Sequence, residues 1–218
     1  YENMSIVDKA PNLPYSYDLH RPSRFGMATS QDPQLIMSPA ELANCINKNK
    51  LINRYAPLTM ANWLNEFSNK SKKFLLKAIK NKKKKDIQLK RLEIDINILS
   101  GMGKFFAYKI KSACLWELFL KQKNYKLGLK ALSFYKKSFN AWSEISIISK
   151  KYYLKDLTYG PQSWLRGRWD DRLPAIEEDI KKMKYILNNS NFKNNKNYNT
   201  ELNDWKNNQK FFINHKIE

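Results

Sequence analysis

Apolar residues recur at steps of three and four along most of the chain, and this spacing limits the fold more than any other feature. Between Pro57 and Ala78, and again between Leu89 and Leu118, the apolar positions are separated mainly by Lys, Asn and other polar residues. This spacing places the apolar residues on one side of an α-helix. No stretch of any length alternates with the period of two that is typical of a half-buried strand. The sequence therefore predicts an all-α fold.

The first two helices are marked by their starts. In "SPAE" (38–41), Ser38 can serve as the N-cap, Pro39 as the first helical residue and Glu41 as the partner that closes a capping box. The second helix begins at Pro57 and has apolar or small residues at helical spacing. These residues are Met60, Trp63, Leu64, Phe67, Ser71, Phe74, Leu75 and Ala78.

Three further helices complete an antiparallel bundle of four to five helices. The third follows the lysine run 80–85, which we expect to be an exposed connection, and is about 35 residues long because its apolar period continues without a break. Its centre holds "SGMG" (100–103), where Gly costs about 0.5–1 kcal/mol relative to Ala. The two glycines therefore indicate close approach of another helix, or a kink, and we favour close packing. A fourth helix follows the turn 122–126, and a fifth begins near Pro174 as its first residue.

Both ends of the chain differ from this pattern. Residues 1–37 contain four of the eight prolines and no sustained period, which predicts an irregular lead-in or linker. Residues 38–188 form the helical bundle, and 189–218 form an Asn-rich, low-complexity tail in which Trp205, Phe211 and Phe212 could dock a short terminal helix. The sequence begins at a Tyr without an initiating Met, and we expect it to be the C-terminal fragment of a longer or processed protein.

The net charge of +20 leaves two interpretations open. Clustered Lys and Arg favour binding to nucleic acids or other polyanions. The excess, however, is mostly Lys and accompanies abundant Asn, Ile, Tyr and Phe, which is the bias that an A/T-rich genome gives to any protein. The placement of the lysines distinguishes the two: scattered lysines indicate compositional drift, and one dense stripe indicates a polyanion.

Motifs for catalysis or metal binding are missing from the sequence. Its two histidines, His20 and His215, lie in the irregular ends, and no phosphate-binding loop or metal-ligand spacing occurs. Cys45 and Cys114 lie in apolar helical contexts, which predicts two buried thiols without a disulfide. No segment reaches the roughly 18–20 apolar residues of a membrane span. We therefore expect no catalytic residue, metal or cofactor in this chain.

One segment, "LTYGPQSWLRGRWDDRLPAIEEDI" (157–180), is the best place to look for a ligand. It concentrates Gly, Pro, Trp and Arg in a chain otherwise rich in Lys and Asn. The adjacent carboxylates of Asp170 and Asp171 point to opposite sides of an extended chain, so they do not form an acid/base pair across one glycosidic bond. A corner that locks two helices together and a ligand-binding surface both remain open. The candidate ligand contacts are Trp164, Arg166, Arg168, Trp169, Asp170 and Arg172.

Four segments in order resemble the C-terminal helical region of large bacterial carbohydrate-active enzymes. They are "SRFGMATSQDPQL" (23–35), "YAPLTMANWLNE" (55–66), "GKFFAYKIKSACLWELF" (103–119) and "YGPQSWLRGRWDDRLPAIEEDI" (159–180). The resemblance is to α-glucuronidase- and hexosaminidase-like glycoside hydrolases. It implies a secreted or periplasmic protein whose hydrolytic carboxylates lie on an upstream (β/α)8 barrel. A barrel of about 250 residues does not fit in this chain, so the resemblance assigns no catalytic residue here.

The resemblance favours a non-catalytic helical accessory module that packs on and supports the catalytic barrel of a glycoside hydrolase acting on polysaccharides. Its partners would be the upstream catalytic domain of the same polypeptide and carbohydrate. Two alternatives remain. The first alternative, which the net positive charge supports, is a basic helical protein that binds nucleic acid. Residues 115–142 resemble one helical hairpin of a tetratricopeptide-type interaction scaffold, although no second copy occurs at a period of 34 residues.

Overall fold

The structure is a computed structural model that describes residues 4–7, 24–28, 33–49, 53–80, 87–154 and 167–189. Within these ranges lie five α-helices: α1 (Pro39–Asn47), α2 (Pro57–Lys80), α3 (Ile87–Gln122), α4 (Tyr125–Tyr152) and α5 (Leu173–Asn189). Short 3-10 helices occupy Phe25–Met27 and Trp169–Arg172. The same ranges hold no β-strand, and one isolated bridge joins Ile36 to Tyr55. The all-α prediction is confirmed.

The three long helices form one layer, with α3 between α2 and α4. Across α3 and α4, the Ser138 hydroxyl donates to the Phe105 carbonyl at 3.2 Å, and the Ser112 hydroxyl donates to the Ala131 carbonyl at 2.8 Å. Residue numbers rise along one helix as they fall along the other, so the two helices are antiparallel. Small hydroxyl side chains bring the helices close because they bond the backbone of the partner without adding bulk.

The two glycines at the centre of α3 face opposite neighbours. A Cβ at Gly101 would lie 2.6 Å from the Ile145 side chain of α4, and a Cβ at Gly103 would lie 2.2 Å from the Ser68 hydroxyl of α2. Real Cβ atoms do not approach other atoms this closely. The prediction that "SGMG" marks close helix approach is therefore confirmed, and this segment sets the spacing of the whole layer.

The remaining elements pack over α3 and α4 and enclose the core. Residues 4–7, the 3-10 helix at 25–27 and α1 are linked to one another and to α3, and α5 packs along α4. The largest fully buried side chains lie where these elements meet the long helices. They include Phe105, Trp116 and Phe119 of α3, Tyr135 of α4 and Met183 of α5.

Two predicted helix starts can be compared with the structure. The capping box of α1 is confirmed: the Glu41 backbone N–H donates to the Ser38 hydroxyl at 3.1 Å, and the Ser38 N–H donates to a Glu41 carboxylate oxygen at 2.8 Å. In α5, Pro174 is the second residue rather than the first, because the preceding 3-10 helix runs directly into Leu173. Proline is still compatible with that place, since the N–H groups of a first turn have no partner within the helix.

The apolar spacing of α2 predicted its helix but not its buried face. The buried residues of α2 are Pro57, Leu58, Ala61, Ser68 and Leu75, and only Leu75 belongs to the predicted stripe. Phe67 and Phe74 are 61% and 64% exposed. Contact with Gly103 requires a small residue opposite it, so α2 turns its small side chains toward α3 and its aromatic ones away.

Several predictions fall outside the described ranges. They concern the connection at 81–85, most of the tail 189–218 with its terminal helix, and the first half of the segment 157–180. The division into 1–37, 38–188 and 189–218 stays a prediction. Of the helices in the described ranges, none carries an apolar stretch long enough to cross a membrane.

Candidate functional site

The predicted ligand contacts lie around the start of α5, as far as the structure describes them. Trp164 and Arg166 lie outside the described residues. Arg168, Trp169, Asp170 and Arg172 are all half-buried, either within the 3-10 helix or directly before it. The structure therefore brings four of the six candidates together at one corner.

Trp169 is held by α4 rather than presented to solvent. The indole N–H of Trp142 donates to the Trp169 carbonyl at 2.6 Å, and the two indole rings lie 5.5 Å apart between centroids. Trp142 in turn packs on Phe105 of α3, with ring centroids 4.6 Å apart. This chain of aromatic contacts fixes the corner to the core of the three-helix layer.

The two adjacent aspartates engage different partners, although they lie in a 3-10 helix and not in the extended chain expected from the sequence. One Asp170 carboxylate oxygen lies 3.3 Å from Arg168 Nε, and the other lies 3.6 Å from Lys150 Nζ. The Asp171 carboxylate instead accepts the backbone N–H of Arg168. Gly167, with φ of +132°, gives the chain the turn that this bond requires. Each contact stabilises the turn into α5, which supports the corner interpretation; ligand contact by these residues stays a prediction.

A buried carboxylate network lies further along α5 and was not predicted. Asp179 is 4% exposed and accepts hydrogen bonds from the Ser5 hydroxyl and from the Ile6 backbone N–H, the latter at 2.7 Å. Tyr135 of α4 also bonds to it. Burial and the neighbouring Asp179 carboxylate raise the pKa of Tyr135 well above its usual value. The sequence signal is that Asp179 shares the apolar side of α5 with Ile176 and Met183.

A second buried carboxylate holds the segment around residue 25. Glu117 of α3 is 2% exposed, and Arg24 donates to both of its oxygens, from Nε at 2.6 Å and from a terminal nitrogen at 2.9 Å. The carboxylate of Glu117 raises the pKa of Arg24. A Cβ at Gly26 would lie 2.3 Å from a Glu117 oxygen, so the glycine lets the backbone pass close to the carboxylate.

Lys109 completes this contact. It is fully buried on α3, with its ammonium 4.8 Å from the ring centroid of Phe25 and 5.4 Å from that of Phe105. Burial costs the ammonium its hydration, and attraction to the two aromatic rings offsets part of that free energy. The motif "SRFG" (23–26) is thus explained residue by residue: Arg24 pairs with Glu117, Phe25 covers Lys109, and Gly26 allows the approach.

These buried groups are arranged for stability rather than for reaction. Glu117 and Asp179 are buried and accept hydrogen bonds on both carboxylate oxygens, which leaves little of either group accessible to a substrate. Burial strongly raises the pKa of the Cys114 thiol, so its reactive thiolate form is disfavoured. Neither cysteine forms a disulfide, and Cys45 is half-buried rather than buried as predicted. Across the described ranges, no three His, Cys, Asp or Glu side chains are grouped as metal ligands.

The surface of α2 offers a different kind of site. Trp63, Phe67 and Phe74 follow one another at helical spacing and are 39%, 61% and 64% exposed. We call these three residues the α2 apolar row. Trp63 contacts the ring of Tyr55 and Phe74 lies near Lys77, but much of each of the three side chains stays exposed, and exposed apolar surface of this kind is a common feature of contact sites.

Comparison with known proteins identifies a structural neighbour. No family model and no curated protein matches the sequence. Among solved structures, the fold is similar to part of a GH138 enzyme targeting pectin rhamnogalacturonan II, with a TM-score of 0.62 and 19% sequence identity. The match covers 80% of this chain and 26% of that one, so this chain spans about a quarter of the neighbour's length. At this identity the likeness shows a shared fold.

Proposed function

We propose that this chain is a non-catalytic helical module of a bacterial glycoside hydrolase acting on polysaccharides, and that it packs on and supports the catalytic barrel of that enzyme. The observation that carries the proposal is the fold shared with a quarter of a GH138 glycoside hydrolase. The segments that resemble carbohydrate-active enzymes support it, because "SRFG" and the corner before α5 both serve to assemble this fold.

The α2 apolar row is the surface through which we propose that the module contacts the barrel. The neighbour has about three times as much polypeptide outside the matched region as within it, so a helical part of this kind has a large partner in the same chain. Burying an aromatic side chain stabilises a contact by about 1.5–3 kcal/mol. Two or three such side chains supply a contact between domains without further charge pairing. A secreted or periplasmic location belongs to this proposal, because polysaccharides are degraded outside the cytoplasm.

The first test is the gene. The proposal requires that the reading frame encoding this chain also encodes a catalytic barrel. A frame that encodes no such domain on either side of residues 1–218 would remove the proposed function.

The second test measures the contact. In the longer product, the F67S/F74S variant should lower the melting temperature of the catalytic domain and expose a cleavage site between the domains to protease. The control is L76S/I147S, which changes two residues that are 60% and 72% exposed and lie outside the row. Equal effects of the two variants would show that the α2 apolar row is not the contact surface.

The tetratricopeptide alternative does not fit the helices. Each repeat of that type places two helices within about 34 residues, whereas α3 alone has 36 residues and α4 has 28. The hairpin at 115–142 therefore contains only the end of one long helix and the beginning of another. Its aromatic and small residues serve the packing of α3 on α4.

A further inference from the structure

The same pattern of residues occurs on α3 and on α4. On α3, Lys104, Tyr108 and Lys111 are spaced by four and then by three. On α4, Lys130, Phe134 and Lys137 have the same spacing. Residues at these steps lie on one side of a helix. Each helix therefore carries a row in which one aromatic residue stands between two lysines.

The two rows meet across the helix pair. The rings of Tyr108 and Phe134 are stacked with centroids 6.4 Å apart and planes 27° apart. The antiparallel register, with Phe105 opposite Ser138 and Ser112 opposite Ala131, puts positions 104 and 137 toward one end of the ring pair and positions 111 and 130 toward the other. Lys137 Nζ also lies 5.3 Å from the ring centroid of Phe134. We call these six residues the lysine–aromatic patch.

In the part of the chain that the structure describes, the charge of the patch is not compensated by ion pairs. Four lysines on other surfaces form ion pairs with nearby carboxylates: Lys70, Lys90, Lys150 and Lys182. Within the described residues, no carboxylate pairs with any of the four lysines of the patch. Other exposed lysines, among them Lys121, Lys136, Lys181 and Lys184, also have no carboxylate partner within the described residues, so the lack of ion pairs does not by itself set the patch apart. The patch differs from these lysines in that its four charges surround an aromatic pair formed across two helices.

The lysines of the patch also affect one another. Burial and the positive charge of Lys137 lower the pKa of Lys111. Lys111 lies on α3 and Lys137 on α4, so this repulsion means that the two rows are close to each other. An anion placed between the rows would relieve this repulsion and would gain from both charges.

We propose that the lysine–aromatic patch binds an acidic polysaccharide. This inference rests on the proposed function, since it adds a polymer-binding surface to a module of a polysaccharide-degrading enzyme. Lysines seven residues apart on a helix are about 10 Å apart along its axis. Charges at this spacing suit a glycan with one carboxylate on each sugar or every second sugar, whereas duplex DNA has one charge per about 1.7 Å.

The composition of the patch also favours a glycan over a nucleic acid. All four basic residues are lysines, which act as point charges, whereas phosphate is typically recognised by the planar fork of Arg. Single-stranded nucleic acids bind by stacking their bases on open aromatic faces. Here Tyr108 and Phe134 are half-buried and each turns one ring face toward the other, which leaves less aromatic surface for a base.

The test uses the 218-residue chain and immobilised polygalacturonate at about 50 mM and about 200 mM salt. The K104Q/K111Q/K130Q/K137Q variant should bind at least about tenfold more weakly than the original chain at the lower salt. The control is K121Q/K136Q/K181Q/K184Q, which removes the same charge from four exposed lysines elsewhere. Its affinity should fall by less than about threefold. Since Lys111 is half-buried, K130Q/K137Q is a second variant at two exposed positions, and it should lose part of the affinity without loss of helicity.

Three results would overturn the proposal. Equal losses in the patch and control variants would mean that only net charge matters. Absence of binding to polygalacturonate at the lower salt would exclude the lysine–aromatic patch as a binding surface for acidic polysaccharides. Tighter binding to a single-stranded DNA of matched charge would assign the patch to nucleic acid instead. The assay contains no catalytic domain, so its result is independent of whether the module packs on a barrel through the α2 apolar row.

Discussion

The buried contacts of the N-terminal segments and the exposed surface of α2 differ in what satisfies their side chains. Arg24 and Ser5 reach carboxylates that lie far away in the sequence, and every polar group in those contacts finds its partner within the chain. Phe67 and Phe74 lie on the side of α2 that is turned away from α3, and most of each side chain is exposed to solvent. The first region finds its partners within the chain, and the second leaves aromatic side chains exposed, as the proposed contact with a catalytic barrel requires.

The largest effect is expected at the buried carboxylate of Asp179. Removing it in D179A leaves the Ser5 hydroxyl, the Ile6 N–H and the Tyr135 hydroxyl without their acceptor. Each unsatisfied buried group costs about 1–3 kcal/mol, so we expect a loss of about 3 kcal/mol or more in the free energy of unfolding. Urea denaturation measures it. S5A removes one donor to Asp179 and the acceptor of the Val7 backbone N–H, and should cost about 1–2 kcal/mol; similar values for both variants would contradict the network.

Two adjacent residues of α2 give the sharpest test of its buried and exposed sides. Leu75 is 5% exposed and Phe74 is 64% exposed. L75A should cost about 2–3 kcal/mol because it leaves a cavity against α3. F74A should change the stability of the isolated chain by about 0.5 kcal/mol or less. If thermal denaturation gave the reverse order, the orientation of α2 described above would be wrong.

Gly103 tests how closely α2 approaches α3. The Cβ introduced by G103A would meet the Ser68 hydroxyl, and such overpacking typically costs about 1–3 kcal/mol. We expect S68A/G103A to recover most of this loss, because the hydroxyl that the methyl group meets is gone. The double-mutant cycle in urea measures the coupling between the two sites. Additive effects would mean that the contact does not set the spacing of the helices.

The smallest effect concerns the capping box of α1. Burial raises the pKa of Glu41, but hydrogen bonds from Ser38 and Arg54 outweigh it, and the net pKa is lower than usual. A lowered pKa in the folded state stabilises the fold above the pKa of the unfolded state, and this contribution is lost as the pH falls through the folded value. Wild-type stability should therefore fall below about pH 4.5 more than that of E41Q. Parallel curves from pH 6 to pH 3 would exclude a role for this carboxylate.

The helices could be predicted from the sequence because their signals are local. The period of three and four, the "SPAE" start and the glycines of "SGMG" each depend on residues within a few turns. The carboxylate networks could not be predicted in this way. Ser5 and Asp179 are 174 residues apart, and nothing near either residue indicates its partner. The one local indication in the sequence was that Asp179 lies on the apolar side of α5.

The orientation of α2 shows a second limit. Its apolar spacing identifies a helix, but two of its sides are suitable for burial, one small and one aromatic. Gly103 on α3 decides between them, because a helix facing glycine approaches most closely through small residues. The sequence of α2 does not contain that information. From the sequence alone, the aromatic side of α2 was expected to be buried in the core. Its exposure is the observation on which the proposed contact surface rests.

The central claim is that α2 is a contact surface of a larger enzyme, and hydrogen exchange tests it most directly. Backbone amide exchange in α2 is measured for the 218-residue chain alone and for the product of the longer reading frame. We expect residues 60–78 to exchange more slowly in the longer product, with the largest change near Phe67 and Phe74, while α4 residues around Trp142 exchange at the same rate in both. Identical exchange of α2 in the two proteins would contradict the claim.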